Sequence, residues 1–204
     1  MVDRDQGYSQ IKASNGTWDK MASLCYGGQS KRNLEVRIPE WPPITPAGFT
    51  QVRMGESKGE KGPLGLWTFG LFTCLGLGVT GIPKNHTGNS RFLMHFMVSE
   101  GKKEDDQWNP FHKLVKDASL ENMKGWMSIP DLSQQLPVGW SDLEAGYVDL
   151  VIKRMVQKMT ELTGKAPKTV ARPMALVVKH QLPHGTMQID RNNEVEMDGY
   201  RVTQ

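Results

Sequence analysis

Apolar residues cluster from residue 49 onwards in patterns that predict strands. Residues 49–55 alternate between apolar and polar positions and predict a strand, whereas residues 57–65, rich in Gly, Lys and Glu, predict a loop. The stretch 66–79 is strongly apolar and aromatic. This pattern predicts a buried strand, although periodicity alone does not distinguish such a strand from a buried helix.

A second apolar stretch follows after a turn. Residues 82–90 contain the turn formers Pro, Asn and Gly, and residues 91–98 predict another buried strand. Residues 66–98 are therefore expected to form a hairpin of core strands. Cys74 lies on the first arm and His95 on the second, so the hairpin would bring a thiol and an imidazole within reach of each other.

The clearest helix lies in the second half of the chain. Ser141, with Glu144 three residues later, forms a capping box, and Gly164 supplies a C-terminal stop. Between them, apolar residues recur at helical spacing and fall on one face. They are Tyr147, Leu150, Val151, Met155, Met159 and Leu162.

The segments on either side of this helix are less regular. Residues 99–140 are polar, and their prolines exclude one long regular element, which leaves room for a short helix over 110–118. Strands are predicted over 169–179 and 186–189. The order strand, strand, helix, strand favours a mixed α/β layered domain over a helical bundle.

Length and composition set the domain organisation. The chain has 204 residues, of which 38% are hydrophobic, enough for one buried core. Residues 1–46 show little periodicity and end in a proline cluster, so we expect a flexible or loosely packed extension before a domain over 47–204. No apolar run approaches the ~20 residues of a membrane span, and the chain opens on polar residues rather than a signal peptide. We therefore expect a cytoplasmic protein that does not insert into membranes.

Charge and cysteine content narrow the classes of function. The net charge of +3 is small, and no block of like charge marks a nucleic-acid arm. Cys25 and Cys74 are too few for a disulfide framework and lack the spacing of a zinc site. His86, His112, His180 and His184 lack the helical i, i+4 pairing of a metalloprotease. His180 and His184 are four positions apart, but Pro183 breaks any helix between them. We therefore expect no nucleic-acid partner and no metal.

A glycine motif raises the question of a cofactor. Gly76-x-Gly78-x-x-Gly81 satisfies the dinucleotide-binding pattern, and Glu100 follows at about the right distance for a ribose contact. Turn-forming residues follow the motif, however, so no helix N-terminus is available for a pyrophosphate. These glycines are better explained by close backbone packing or a bulge, and no cofactor is expected.

Cys74 and His95 are the candidate catalytic residues. A thiol becomes a useful nucleophile when a neighbouring imidazole accepts its proton. A lone Cys in an apolar strand is, however, most often a small buried hydrophobe, and a His between Met94 and Phe96 is most often a core residue. The residue types alone therefore leave both interpretations open.

The sequences around the two residues favour the catalytic interpretation. Thr68-Phe-Gly-Leu-Phe-Thr-Cys74 and Phe92-Leu-Met-His95-Phe-Met-Val98 resemble the two signature segments of the chemoreceptor glutamine deamidases, the CheD family. Upstream, Val52-Arg-Met-Gly-Glu-Ser-Lys58 resembles the family's Val-x-Met-Gly-Glu stretch. Downstream, Tyr147-Val-Asp149 resembles its Tyr-x-Asp. The four segments follow the family order over roughly residues 50–165.

The resemblance implies an α/β fold, a layered α-β-β sandwich with a mixed sheet. Relative to the family pattern, this chain is expected to carry an insertion around residues 100–140. It also implies a protein-glutamine deamidase, a hydrolase that converts Gln to Glu through a cysteine thioester. Carried over by position, Cys74 is the nucleophile, His95 the general base and acid, and Thr68 the helper hydroxyl. The implied partners are a protein substrate bearing a reactive Gln, chemoreceptor-like or another target, and a regulatory protein.

Departures from the family pattern leave alternatives open. The family's Leu-Pro after His-Phe-Met is Val98-Ser99 here, and its Gly-Gly-Ala segment is replaced by Val-Ala-Arg-Pro-Met-Ala over 170–175. One alternative is a catalytically inactive module of the same fold that binds a partner through Trp108, Trp126 and Trp140. Another keeps the nucleophile but performs transglutamination or peptide hydrolysis, because an amine as well as water intercepts a thioester.

Overall fold

The computed structural model describes residues 43–85, 87–98, 101–134, 142–174 and 182–204. The predicted N-terminal extension lies almost entirely outside these ranges. Within them the chain forms ten strands and two helices. In chain order they are β1 Phe49–Gln51, β2 Ser57–Glu60, β3 Gly65–Thr68, β4 Leu75–Pro83, β5 Arg91–Phe96, α1 Gly101–Asp117, β6 Leu120–Pro130, α2 Asp142–Thr163, β7 Lys168–Arg172, β8 Met187–Ile189, β9 Val195–Met197 and β10 Tyr200–Val202.

The strands form two five-stranded sheets. Sheet A has the order β1-β3-β8-β9-β10, and sheet B has the order β2-β5-β4-β6-β7. The β1–β3 pair in sheet A and the β6–β7 pair in sheet B are parallel, and the other pairs are antiparallel. Two mixed sheets and two helices confirm the predicted α/β class.

Sheet B separates two apolar clusters, because side chains alternate between the faces of a strand. In β5, Phe92 and Met94 join a cluster that contains the apolar residues of both helices. Leu93, between them, belongs instead to a cluster with Leu66 and Met187 of sheet A. One face of sheet B is therefore covered by α1 and α2, and the other face packs against sheet A.

The predicted hairpin exists, but its first arm is shorter than expected. β4 pairs antiparallel with β5, with Gly76 opposite His95. The prediction of one strand over 66–79 is wrong, because residues 69–74 cross from β3 in sheet A to β4 in sheet B. Gly70 lies in this crossing with a φ of 73°, a left-handed conformation that ends the regular strand.

The segment before β3 also differs from its prediction. Residues 57–65 were expected to form a loop, but β2 occupies their first part and pairs with β5. Its polar composition gave little strand signal, and it suits the edge position that β2 takes in sheet B. The strand predicted over 49–55 ends at Gln51, although Met54 forms an isolated bridge with His95.

Residues 101–130 are more regular than the sequence suggested. α1 is a helix of 17 residues with Pro110 inside it, so it includes most of the helix expected over 110–118. The expectation that prolines exclude a long regular element here is wrong. Trp108, Phe111 and Val115 are buried against sheet B, and this packing outweighs the hydrogen bond that a proline cannot donate. β6 follows with 11 residues and lies inside sheet B, between β4 and β7.

The predicted second-half helix is confirmed as α2. Gly164, with a φ of 77°, ends it as expected, whereas Ser141 of the capping box lies outside the described residues. Leu150 is 42% exposed and does not belong to the buried face, although the other five predicted positions are buried. Neither α1 nor α2, the helices of the described ranges, is long and apolar enough to cross a membrane.

The C-terminal part completes both sheets. β7 and β8 confirm the beginning of the strand predicted over 169–179 and most of that predicted over 186–189. Residues 175–181 lie outside the described ranges. The β9–β10 hairpin was not predicted, although Asp198-Gly199 at its turn is a recognised hairpin signal, and both residues have positive φ.

Candidate active site

The crossing between the two sheets carries Cys74. Residues 69–74 are held by backbone hydrogen bonds from Leu71 N–H to Gly185 O at 3.0 Å and from Phe72 N–H to Gly70 O at 2.8 Å. Cys74 is the last residue before β4. Because the chain changes sheets here, residues of sheet A come to lie directly against residues of sheet B.

Thr68 and His95 meet across the two sheets. The Thr68 hydroxyl oxygen and His95 Nδ1 lie 2.8 Å apart, and both side chains are buried. Thr68 ends β3 in sheet A, and His95 lies near the end of β5 in sheet B. A hydrogen bond of this kind fixes the orientation of the imidazole ring.

The backbone of His95 is held on both sides. β4 pairs with it at Gly76, and the isolated bridge to Met54 lies on its other side. His95 O accepts from Gly55 N–H at 2.8 Å, and His95 N–H donates to Glu56 O at 3.1 Å. The imidazole therefore projects from a fully paired strand.

Cys74 lies on the same side of sheet B as His95. Cys74 packs in the cluster between the sheets that also contains Leu93, and its Sγ lies 3.7 Å from Met54 Sδ. Leu93 is two positions before His95 on β5, so strand alternation directs the His95 side chain to the same face of sheet B.

Gly76 is required for this packing. A Cβ at Gly76 would lie 2.7 Å from Met187 Sδ and 3.0 Å from Leu71 Cδ1. Gly78 similarly makes room for the Met187 methyl group, and the register of β4 shifts between Thr80 and Ile82. The glycine motif therefore serves close packing and a bulge, as the sequence indicated.

His95 is held as a neutral imidazole. Burial, and secondarily the nearby positive charge of Arg172, together lower the pKa of His95 to about 3. Nδ1 faces Thr68, while Nε2 is buried without a hydrogen-bond partner among the described residues. Nε2 is thus the ring nitrogen left for proton exchange when Nδ1–H donates to Thr68.

Arg172 is a residue of this site that the sequence did not reveal. Its guanidinium donates to the carbonyl oxygens of Leu71, Phe72 and Cys74 and, at 3.1 Å, to Ser128 Oγ. Arg172 is completely buried at the end of β7. The sequence signal was an arginine among the mostly apolar residues of the strand predicted over 169–179.

His184 and Asp198 form a second polar pair near Arg172. Asp198 Oδ1 accepts from Gly185 N–H at 2.9 Å, and its Oδ2 lies 3.8 Å from His184 Nδ1. Burial raises the pKa of Asp198, opposed chiefly by the charge of Arg172. His184 and Asp198 line a groove of about 530 Å³ between β7 and β10. Thr68, Cys74 and His95 do not line this groove.

The other singled-out residues do not join the site. Trp108 and Trp126 are buried, in the helix-covered cluster and the inter-sheet cluster respectively, so neither is exposed for the predicted partner surface. Trp140 lies outside the described residues, as do Cys25, His86 and His180. The three predicted catalytic residues, in contrast, share one buried region.

Comparison of the chain with models of known protein families gives no match, and comparison with curated proteins gives none either.

Proposed function

We propose that the chain is a protein-glutamine deamidase with a CheD-like α-β-β layered fold. Three features support this: the CheD-like segments, the helices covering one face of sheet B, and the packing of its other face on sheet A. The hydrogen bond between Thr68 and His95 carries the proposal. It joins two residues of separate sheets, and Cys74 packs between the same two sheets. The proposed reaction needs these three groups as a base, an orienting hydroxyl and a nucleophile.

The proposed reaction uses Cys74 as the nucleophile and His95 as the group that carries the proton. His95 Nε2 accepts the thiol proton, and Sγ of Cys74 attacks the carboxamide carbon of the substrate glutamine. His95 then returns the proton to the nitrogen, the C–N bond breaks, and ammonia leaves. Water attacks the resulting thioester, which releases glutamate and restores the thiol.

Thr68 would act through the imidazole. When its oxygen accepts from Nδ1–H, Nε2 is left unprotonated and able to receive the thiol proton. The depressed pKa of His95 keeps the ring neutral before the reaction. The thiolate formed in the same step supplies the opposite charge that a buried imidazolium needs.

The enclosure of the site favours a second candidate, a catalytically inactive module of the same fold. Cys74 and His95 are only 2% and 3% exposed. A glutamine side chain can reach Sγ only after a rearrangement, whereas a binding module needs no access to the thiol. With Trp108 and Trp126 buried, such a module would use a surface other than these tryptophans.

The first experiment measures ammonia release from a panel of glutamine-containing proteins, chemoreceptors included. Wild type is compared with Cys74→Ala and His95→Ala, each confirmed to be folded. Release by wild type that is lost in both variants supports the deamidase. Absence of release from every substrate, together with a Cys74 that alkylates no faster than Cys25, supports the inactive module.

Product masses separate the deamidase from the other reactions of a thioester. Deamidation changes the substrate mass by about one dalton without cross-linking. A cross-linked product would identify a transglutaminase, and chain cleavage would identify a peptidase.

A further inference from the structure

We propose that Arg172 is a positioning residue for Cys74, holding residues 69–74 in place through their carbonyl oxygens. Its catalytic consequence rests on the proposed function, whereas its effect on the loop does not. Arg172 replaces part of the Gly-Gly-Ala segment of the CheD family, so the resemblance does not supply this role.

The contacts of Arg172 converge on one short segment. Nε donates to Leu71 O, and Nη2 donates to Phe72 O at 3.1 Å and to Cys74 O. These carbonyls belong to residues about a hundred positions away in the chain. Nη1 bonds Ser128 of the adjacent strand β6, which ties the loop to sheet B.

Peptide planarity extends this effect from the carbonyls to the amides. In a trans peptide, the C=O of one residue and the N–H of the next point in opposite directions. Holding the carbonyls of Phe72 and Cys74 therefore also sets the directions of the Thr73 and Leu75 N–H groups. Backbone N–H groups beside a nucleophile are the usual donors to an oxyanion, and their value depends on being fixed in advance.

Arginine is suited to this task for a geometric reason. Its planar guanidinium offers five N–H donors in a fixed fork, whereas lysine offers a single ammonium on a flexible stem. The described contacts employ both Nη atoms and Nε. Lysine would keep the positive charge but could not reach the same set of oxygens at once.

Arg91 provides a matched control. It is also buried, at 1% exposed, and its guanidinium donates to the carbonyls of Gly62 and Leu64 in the loop that connects β2 to β3. Replacement of either arginine by Met removes a buried cation and orphans loop carbonyls. Of these two arginines, Arg172 bonds the loop that carries Cys74, and Arg91 bonds a different loop.

The test compares Arg172→Met, Arg172→Lys and Arg91→Met by amide hydrogen exchange and by ammonia release. We expect Arg172→Met to raise exchange over residues 71–75 by about tenfold or more. We expect a kcat about 100-fold lower, with KM within about threefold of wild type. Arg172→Lys should give an exchange rate over residues 71–75 and a kcat between those of wild type and Arg172→Met. It replaces the methionine variant in the test if that variant does not fold.

Arg91→Met should raise exchange around residues 61–65 instead and keep kcat within about threefold of wild type. Unchanged exchange over 71–75 in a folded Arg172 variant would overturn the proposal, as would an unchanged kcat. If wild type releases no ammonia, the proposed function fails, and the exchange data alone decide whether Arg172 holds the loop.

Discussion

The hydroxyl oxygen of Thr68 and Nδ1 of His95 lie 2.8 Å apart although the residues are 27 positions apart and belong to different sheets. The contact exists because residues 69–74 return the chain from sheet A to sheet B beside the strand that carries His95. A buried hydrogen bond contributes about 1 kcal/mol, and loss of one partner leaves the other unsatisfied at a cost of about 1–3 kcal/mol.

Thr68→Val should lower kcat by about 10- to 100-fold, because the ring loses the group that orients it and fixes its tautomer. Thr68→Ser, which keeps a hydroxyl, should retain most activity. The measurement is the rate of ammonia release, with folding confirmed by thermal unfolding.

Thr80→Val is the matched control for that variant. Thr80 is buried and accepts a hydrogen bond from Trp126 Nε1 at 3.1 Å, outside the candidate site. Its replacement should reduce stability by about 1–3 kcal/mol and leave kcat within about threefold. Equal kcat values for the Thr68 and Thr80 valine variants would contradict the role of Thr68.

His95 should make the protein acid-sensitive. Its folded-state pKa of about 3 lies below the ordinary value of 6.5, so the unfolded state binds the proton more readily. The stability that His95 contributes is therefore fully present above about pH 6.5 and is lost as the pH falls toward 3, at about 1.4 kcal/mol per pH unit.

The check is urea unfolding of wild type and His95→Gln at about pH 7 and about pH 4.5. The stability of wild type should fall more steeply than that of the variant. The raised pKa of Asp198 adds stability as the pH falls, opposite to the effect of His95. Both proteins contain Asp198, so its contribution cancels when their pH dependences are compared. Parallel losses in the two proteins would show that His95 is not the titrating group.

Gly76→Ala should destabilise the protein by about 1–3 kcal/mol, because the new methyl group would meet Met187 and Leu71 in a closed interior. Denaturant unfolding measures the effect. Gly146→Ala is the contrasting variant, since Gly146 lies in α2 with nothing within 4 Å of an added Cβ. It should stabilise the protein by about 0.5–1 kcal/mol. Equal effects of the two substitutions would contradict the packing described at Gly76.

Glu104→Gln should weaken the contact between α1 and α2. Glu104 is 5% exposed, and its carboxylate lies 2.7 Å from Arg154 and 3.5 Å from Lys158. Its two cationic partners are partly exposed, so loss of the charged hydrogen bonds should cost about 1.5–3 kcal/mol and lower the unfolding midpoint.

Asp117→Asn supplies the comparison for Glu104. The Lys113–Asp117 pair is on the same helix but exposed, and exposed pairs contribute at most about 1 kcal/mol. A stability loss at Glu104 no greater than that at Asp117 would show that the inter-helix cluster contributes little.

The sequence by itself determined the α/β class, helix α2 with its end at Gly164, and the pairing of the β4 and β5 segments. These elements depend on local patterns: helical spacing of apolar residues, a C-terminal glycine, and two apolar stretches around a turn. The family-like segments also singled out Thr68, Cys74 and His95, which the fold gathers in one buried region.

Only the tertiary structure decided where the chain changes sheets and which residues then support the site. The strands before and after residues 69–74 are both largely apolar, so hydropathy does not show where β3 ends and β4 begins. Likewise, β2 depends on its pairing with β5, and α1 depends on its packing against sheet B. Local propensity does not predict such long-range contacts. Arg172 contacts Cys74 from 98 positions away, and such a contact follows from strand order in space rather than from any pattern along the chain.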